Sequence, residues 1–486
     1  MPFAPAGVGK LDQSGWDSQP SFAAFIEHTV RQTGALYATM GTAFYCCAQE
    51  ALRQDSPLPS GAAAAAAAVT VSDSDSPADA VAALLLRPTT TPLVVCTMFT
   101  QTLGIDIAEK LGAACAVMKW APDALPTADR PPFGCPTPLV HRFLPRSSIL
   151  NKAAHYYQLL NSVMASERAG MGKIVADFRT DVLQLPAMPT GDRLKVLGEL
   201  PNIYAVGGRS LLPTPNDWPV NATTTGFFFL EEATTSAEVA LADDGVDEGL
   251  RAWMSAHPRP VVVNFGSMNC MDENVPENAV QAALDLGKDV VFVTGWGSSG
   301  PEGKRWDGER VFVCESAPHE WLFPLTAVVV HHGGAGTTAR ALWSAVPSVI
   351  YPVLLFYDQP GWAALLEERR LGVRCVAPQG GGGAGSVGGL RLALERALAL
   401  PREGSATMAA TIRSEKGVER AAALLEGVAA GYASRRDGSG GGRAFGPMSA
   451  ADGRLDEVAL GLGARVSVRW SAADWVAVLA VLAPHV

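Results

Sequence analysis

From Pro260 to Ala377, short unbroken apolar runs alternate with longer stretches whose apolar residues recur at helical spacing. The runs Pro260–Gly266, Asp289–Thr294, Arg310–Cys314, Ala327–His331, Ser348–Pro352 and Gly372–Ala377 predict strands. Between them, Pro276–Gly287, a short segment around Trp321, Thr338–Ala345 and Gly361–Leu371 predict helices. Runs without polar alternation fit strands covered on both faces. Strand–helix repetition at this spacing predicts a parallel sheet wound by right-handed crossovers. The expectation is an α/β, Rossmann-like unit that ends near Ala430.

The first half carries a weaker version of the same pattern. Pro92–Cys96, Ala114–Met118 and Ile203–Val206 read as strands, and Ser21–Arg53, Thr102–Leu111 and Ile149–Phe178 as helical. The run Thr225–Leu230 closes this half, and the acidic, Ser/Thr-rich segment Glu231–Gly249 reads as a linker. Alanine repetition at Ala62–Ala68 followed by Ser72–Pro77 reads as a low-complexity insertion. Gly-rich breaks fall at Gly380–Gly389 and Asp437–Arg443, and a helix is expected at Ala472–Leu482. The expected domains are 1–240, 250–430 and a tail at 431–486.

Composition narrows the function classes. The 486 residues suit two or three domains, and 48% hydrophobic against 18% charged residues can fill them. A net charge of −10 argues against a broad nucleic-acid footprint. None of the 8 cysteines forms a CxxC pair, so buried reduced thiols are expected rather than a zinc site or disulfides. Met1 leads into Pro, Ala and Gly rather than an apolar signal core, and no window reaches the ~20 apolar residues of a spanning helix. A cytoplasmic protein is expected, with peripheral membrane contact open to it.

Candidate chemistry concentrates in Ala327–Pro352. An apolar run ends at His331 and His332. Gly333, Gly334, Ala335 and Gly336 follow, and then Thr337 and Thr338. Small residues let backbone N–H groups approach a ligand, and the first amides of the next helix are unpaired at the positive end of its dipole. Such a turn suits phosphate oxygens, with a threonine as cap or extra donor and His332 as a further donor. A tight strand–helix turn whose threonine merely caps is the alternative.

The flanking order is specific: "NFGSM" at Asn264–Met268, "TGWG" at Thr294–Gly297, "APHEWLFP" at Ala317–Pro324, "VHHGGAGTT" at Val330–Thr338, and Asp358-Gln359-Pro360. It resembles UDP-glycosyltransferases, in particular sterol 3β-glucosyltransferase-like enzymes and their antibiotic-glycosylating relatives. The likeness is strong across Pro260–Gly372, continues through Ile412–Glu426, and is weaker at Pro92–Trp120 and Thr224–Leu230. It implies a GT-B fold: two Rossmann-like domains with parallel sheets facing across a cleft. The UDP-sugar would be a co-substrate, with no cofactor and no metal. By motif position, His332, Gly334, Ala335, Gly336 and Thr337 would hold the diphosphate, with Ser267 on its other side. Pro318 and His319 would lie along the uracil, and Asp358 and Gln359 would bond the sugar hydroxyls. Trp296 and Trp321 have weaker claims, with a core role the alternative for Trp321. Trp343 and Trp362 read as packing and His331 as structural.

The implied reaction moves a hexose, glucose by resemblance, to a hydroxyl of a lipophilic acceptor such as a sterol, with inversion. The acceptor needs a base, and no catalytic residue is assigned. Asp106 and His141 are first-half candidates, each with a surface or capping role as the alternative. The family's N-terminal Gly-rich loop has no counterpart here, since "GVGKLDQSGWD" at Gly7–Asp17 lacks a preceding strand. The expectation is an incomplete first domain. A non-catalytic nucleotide-sugar-binding protein is therefore the alternative function. Two further departures stand out. Pro352 to Asp358 is longer than the family's usual interval, and Ser316 and Arg340 occupy positions where plant relatives place Trp and Glu. No GxGxxG supports an NAD-dependent oxidoreductase.

Overall fold

A computed structural model describes residues 93–98, 100–122, 125–133, 148–168, 170–208, 211–229, 246–266, 274–295, 306, 308–354, 358–375 and 383–437. Two sheets organise them, both wholly parallel. The first has the order β1-β2-β3-β4, from Leu93–Thr97, Ala114–Lys119, Asn202–Tyr204 and Ala222–Thr224. The second has the order β10-β9-β8-β5-β6-β7, from β5 Val261–Asn264, β6 Val290–Val293, β7 Val311–Cys314, β8 Val328–His331, β9 Ser348–Ile350 and β10 Gly372–Arg374. Every residue of β5, β6 and β8 is buried, so their unbroken apolar runs are the expected signature of a doubly covered sheet. The chain is an α/β protein with two Rossmann-like parallel sheets.

The winding of the second sheet creates its functional edge. From β5 the chain moves outward through β6 to β7, then returns to the other flank of β5 as β8 and moves outward through β9 to β10. The order reverses between β5 and β8, whose residues Asn264 and His331 pair in register at the carboxyl ends. Loops leaving neighbouring strands there diverge to opposite faces and leave a crevice.

Sequence and structure differ in instructive places. The helix expected from Thr338 starts at Ala335 and runs Ala335–Trp343 (α8 in chain order), because Gly334 already serves as its N-cap. Ile149–Phe178 is not one helix. It divides at Gly170 into Ser148–Arg168 and Met171–Asp177, followed by a π-helical turn at Phe178–Val182. The last strand of the first sheet is Ala222–Thr224, and the aromatic run after it leaves the sheet. The low-complexity insertion, the helix at Ser21–Arg53, the linker up to residue 245 and the helix at Ala472–Leu482 lie outside the described residues.

That aromatic run joins the two halves. Phe133, Tyr204, Trp218 and Phe227 share one core with Leu342, Ile350, Trp362, Leu366 and Ile412. Phe229 packs against Trp343 at a tilt of 44°, with ring centroids 4.2 Å apart. The end of the described chain returns to the first sheet: helix Gly417–Asp437 sets Val428 and Tyr432 against Ala114. Ahead of it, Glu415 accepts from the Gly208 amide at 2.9 Å, and Arg420 donates to the Thr225 carbonyl at 2.9 Å.

Gly361 marks the tightest point of the seam. A Cβ there would collide with the Phe133 carbonyl and ring. Gly361→Ala must push the two halves apart locally, and overpacking of this kind costs about 1–3 kcal/mol. The expected outcome is a lower denaturation midpoint for this variant. An unchanged midpoint in urea denaturation would contradict the packing described.

Candidate functional site

The crevice between β5 and β8 is lined by small backbone turns. After β8, Gly333 adopts φ +92° and abuts Gln359, so that a Cβ would stand 2.8 Å from Ile350 Cγ2 and 3.2 Å from the Gln359 carbonyl. Only glycine fits both the backbone angle and the approach of the next loop. Gly334 then opens α8, and its carbonyl accepts the first helical bond, from Thr338 at 3.0 Å. The amides of Ala335, Gly336 and Thr337 precede that bond and have no intrahelical partner. No side chain caps them, and Gly336 is exposed with nothing within 4 Å of its Cβ position. An unpaired amide turn at the positive end of a helix suits an anion.

His332 folds over this turn. Its Nε2 lies 2.5 Å from the place a Cβ on Gly334 would take, and its Cε1 approaches Gly266 at the end of β5. Burial pushes the imidazole down to about 4, so it is neutral at neutral pH. Its Nδ1 is buried without a hydrogen-bond partner. His331 is turned the other way. It is fully buried, and its Nδ1 accepts from the Gly333 amide at 3.1 Å, which makes it a brace for the turn. Burial also holds its pKa well below the ordinary histidine value, with His332 and His319 adding to the effect.

His319 reaches the same place from β7, as the first residue of the short helix His319–Leu322, with Pro318 as the residue before it. Its ring stacks on Phe323, centroids 4.5 Å apart, and its Nε2 meets Asn264 Nδ2 at 2.6 Å. Burial lowers its pKa, Glu320 opposes that and Arg340 adds to it. Asn264 has no role in the reading of the sequence. Its position as the last residue of the central strand was the available signal.

Asp358 and Gln359 lie beside Gly333 but turn inward. Asp358 is 5% exposed and accepts from Trp362 Nε1 at 3.1 Å. Gln359 is 3% exposed, and its Oε1 accepts from the amides of Val353 and Leu354, both at 2.8 Å. Gln359 thus braces the loop that precedes it, and Asp358 ties the start of its own helix to Trp362. The structure therefore brings Pro318, His319, His332, Gly334, Ala335, Gly336, Thr337, Asp358 and Gln359 to one end of the sheet. Ser267 and Trp296 lie outside the described residues. Trp321 and Trp362 are core residues. Arg340 stacks its guanidinium over Phe229, 4.8 Å from the ring centroid, and so serves the seam between the halves.

In the first half, Asp106 is neither at the surface nor a cap. It is fully buried, with Arg179 Nη1 at 2.6 Å from one carboxylate oxygen and Arg193 Nη1 at 2.9 Å from the other. Both oxygens are engaged, which removes it as a base. Two helices and the π turn supply these groups, so the triad ties Gln101–Leu111 to Thr190–Glu199. His141 lies outside the described residues. Among the described residues no group of three or more His, Cys, Asp or Glu is placed to hold a metal, and no helix is long and apolar enough to cross a membrane.

No protein-family profile matches the chain. Individual proteins do. A sterol 3-beta-glucosyltransferase of Arabidopsis thaliana is 30% identical over 218 residues, 44% of this chain and 32% of that protein. An O-mycaminosyltylonolide 6-deoxyallosyltransferase of Streptomyces fradiae is 32% identical over 246 residues, 50% of this chain and 53% of that protein. A vancomycin aglycone glucosyltransferase of Amycolatopsis orientalis is 31% identical over 205 residues, 41% of this chain and 46% of that protein. The chain thus spans about a third to a half of the length of these relatives. Among solved structures, the glycosyltransferase of kitacinnamycin is similar at a TM-score of 0.45 and 19% identity, over 69% of this chain and 75% of that one.

Proposed function

We propose that the chain is a sterol 3-beta-glucosyltransferase-like relative of the UDP-glycosyltransferases and that it transfers a hexose, glucose first, from a UDP-sugar to a hydroxyl of a lipophilic acceptor such as a sterol. One observation carries the reading: His332 and the unpaired amides of Ala335, Gly336 and Thr337 converge where the strand order of the second sheet reverses. In the proposed reaction the acceptor oxygen attacks the anomeric carbon in line. The bond from that carbon to the diphosphate breaks with inversion, and its electron pair stays on the diphosphate oxygen. Amides already oriented toward that oxygen stabilise the growing charge without reorganising, and without requiring a metal. His332 donates once the bound dianion raises its pKa from about 4. Gln359 would meet the sugar through the loop it braces, with Asp358 beside it. The acceptor proton goes to a base yet to be assigned. The reaction would run in the cytoplasm, with peripheral contact to the membrane that holds a greasy acceptor.

The second reading, a nucleotide-sugar-binding protein without transfer, is favoured by one observation: Asp106 is locked between two arginines. Calorimetry with UDP-glucose detects binding under either reading, and turnover with sterol or phenolic acceptors occurs only under the first. His332→Ala is expected to weaken UDP-glucose binding by about 1–3 kcal/mol, the scale of a hydrogen bond to a charged group. Equal affinity of variant and parent would remove the diphosphate from this turn.

A further inference from the structure

We propose that Asn264 is a positioning residue that holds His319 in a single tautomer, with its proton on Nδ1, and so presents a fixed N–H donor to a carbonyl oxygen on the rim of the nucleotide's pyrimidine. The proposal rests on the donor-site reading above and adds a residue and a proton to it.

Two bonds determine the arrangement. The Gly266 amide donates to Asn264 Oδ1 at 2.8 Å, which commits that oxygen and fixes which way the carboxamide faces. Reversing the carboxamide would set its NH2 group against the Gly266 N–H, donor against donor. The group that meets His319 Nε2 at 2.6 Å is therefore Nδ2, an NH2 that can only donate. Nε2 must accept, so the neutral ring carries its hydrogen on Nδ1. The stack on Phe323, with planes inclined by 16°, holds the ring in that plane. Nδ1 itself makes no hydrogen bond among the described residues and is left for a ligand. Protonating Nε2 would place N–H against N–H. That matches the lowered pKa, to which burial and Arg340 contribute while Glu320 opposes; His331 is the other titratable group nearby.

Asn264 sits where this matters. It is the last residue of the central strand, beside the reversal of strand order, in register with His331 and one turn from the Gly266–His332 contact. The same Asn264–Gly266 unit thus sets the floor beneath the diphosphate turn and the proton of the histidine proposed to meet the base.

The test is the 15N–1H spectrum of the imidazole side chains at pH 7.5, with His319 assigned through His319→Gln, together with calorimetry using UDP. The parent chain is expected to show His319 protonated at Nδ1 alone. Asn264→Val removes the donor, so the ring is expected to lose that single tautomer and UDP to bind on the order of fivefold more weakly, the scale of one neutral hydrogen bond. Asn264→Asp keeps an acceptor for the Gly266 amide and so guards against misfolding. It demands a proton on Nε2, and the spectrum is expected to show one there. A parent ring protonated at Nε2, or UDP affinity unchanged in Asn264→Val, overturns the proposal and leaves the donor-site reading standing. A parent chain that fails to bind UDP overturns both.

Discussion

Trp362→Ala is expected to cost about 3–5 kcal/mol of stability, the range for deleting a large core aromatic. The ring is completely buried, stands edge-on to Phe133 with centroids 4.8 Å apart, and lies 5.8 Å from Phe227. Those neighbours come from the first half of the chain, so the cavity would open in the shared core between the two sheets. The same truncation removes the N–H that Asp358 accepts at 3.1 Å, in a carboxylate that is 5% exposed. Trp362→Phe separates the two losses. It keeps most of the volume and drops the donor, and is expected to cost about 1.5–3 kcal/mol, the scale of a hydrogen bond to a charged group. Urea denaturation of both variants reads this directly. If alanine and phenylalanine variants matched the parent, Trp362 would not hold the seam.

Stability is expected to fall as pH drops below about 6.5, and the cause is four buried histidines rather than carboxylates. Burial pushes His155 and His332 down to about 4, His331 well below its ordinary value, and His319 downward as well. The unfolded chain titrates near 6.5. Between the two values the unfolded state binds more protons than the folded one, so stability rises with pH through this window and is fully present above it. His155, 3% exposed with its Nε2 donating to the Arg130 carbonyl at 3.1 Å, accounts for about 2 kcal/mol at pH 5, at about 1.4 kcal/mol per unit. His331 and His332 act in the same direction. His332 lies in the candidate site, so UDP-glucose is expected to offset part of the acid loss by favouring its protonated form. Denaturation midpoints at pH 7.5, 6 and 5, with and without UDP-glucose, check both statements. A midpoint that is flat from 7.5 to 5 would show these imidazoles to be solvated.

The second sheet was legible almost strand for strand, because its strands are covered on both faces and carry no polar alternation to confuse with loop. The Gly-rich turn was equally readable, since Gly333 and Gly334 answer to a backbone angle and to close approach. What sequence could not convey were contacts between distant segments. Asp106 has the local look of a helix-surface carboxylate, and only the folding of Arg179 and Arg193 onto it shows a buried clamp. Gln359 has the composition of a ligand-binding residue, yet its Oε1 is spent on two amides of its own loop. Asn264 ends an apolar strand, and its meaning depends on a histidine 55 residues away. Phe229 and Arg340 form a pair across the seam that no local pattern announces.

The central claim is that a sugar nucleotide's diphosphate docks on the amides that open the helix after β8. Backbone 15N–1H resonances of Gly334, Ala335, Gly336 and Thr337 read it directly during titration with UDP and, separately, with uridine. The account predicts that these four resonances move with UDP and stay in place with uridine, which lacks the diphosphate. UDP binding that moves other resonances while these four remain fixed would contradict it.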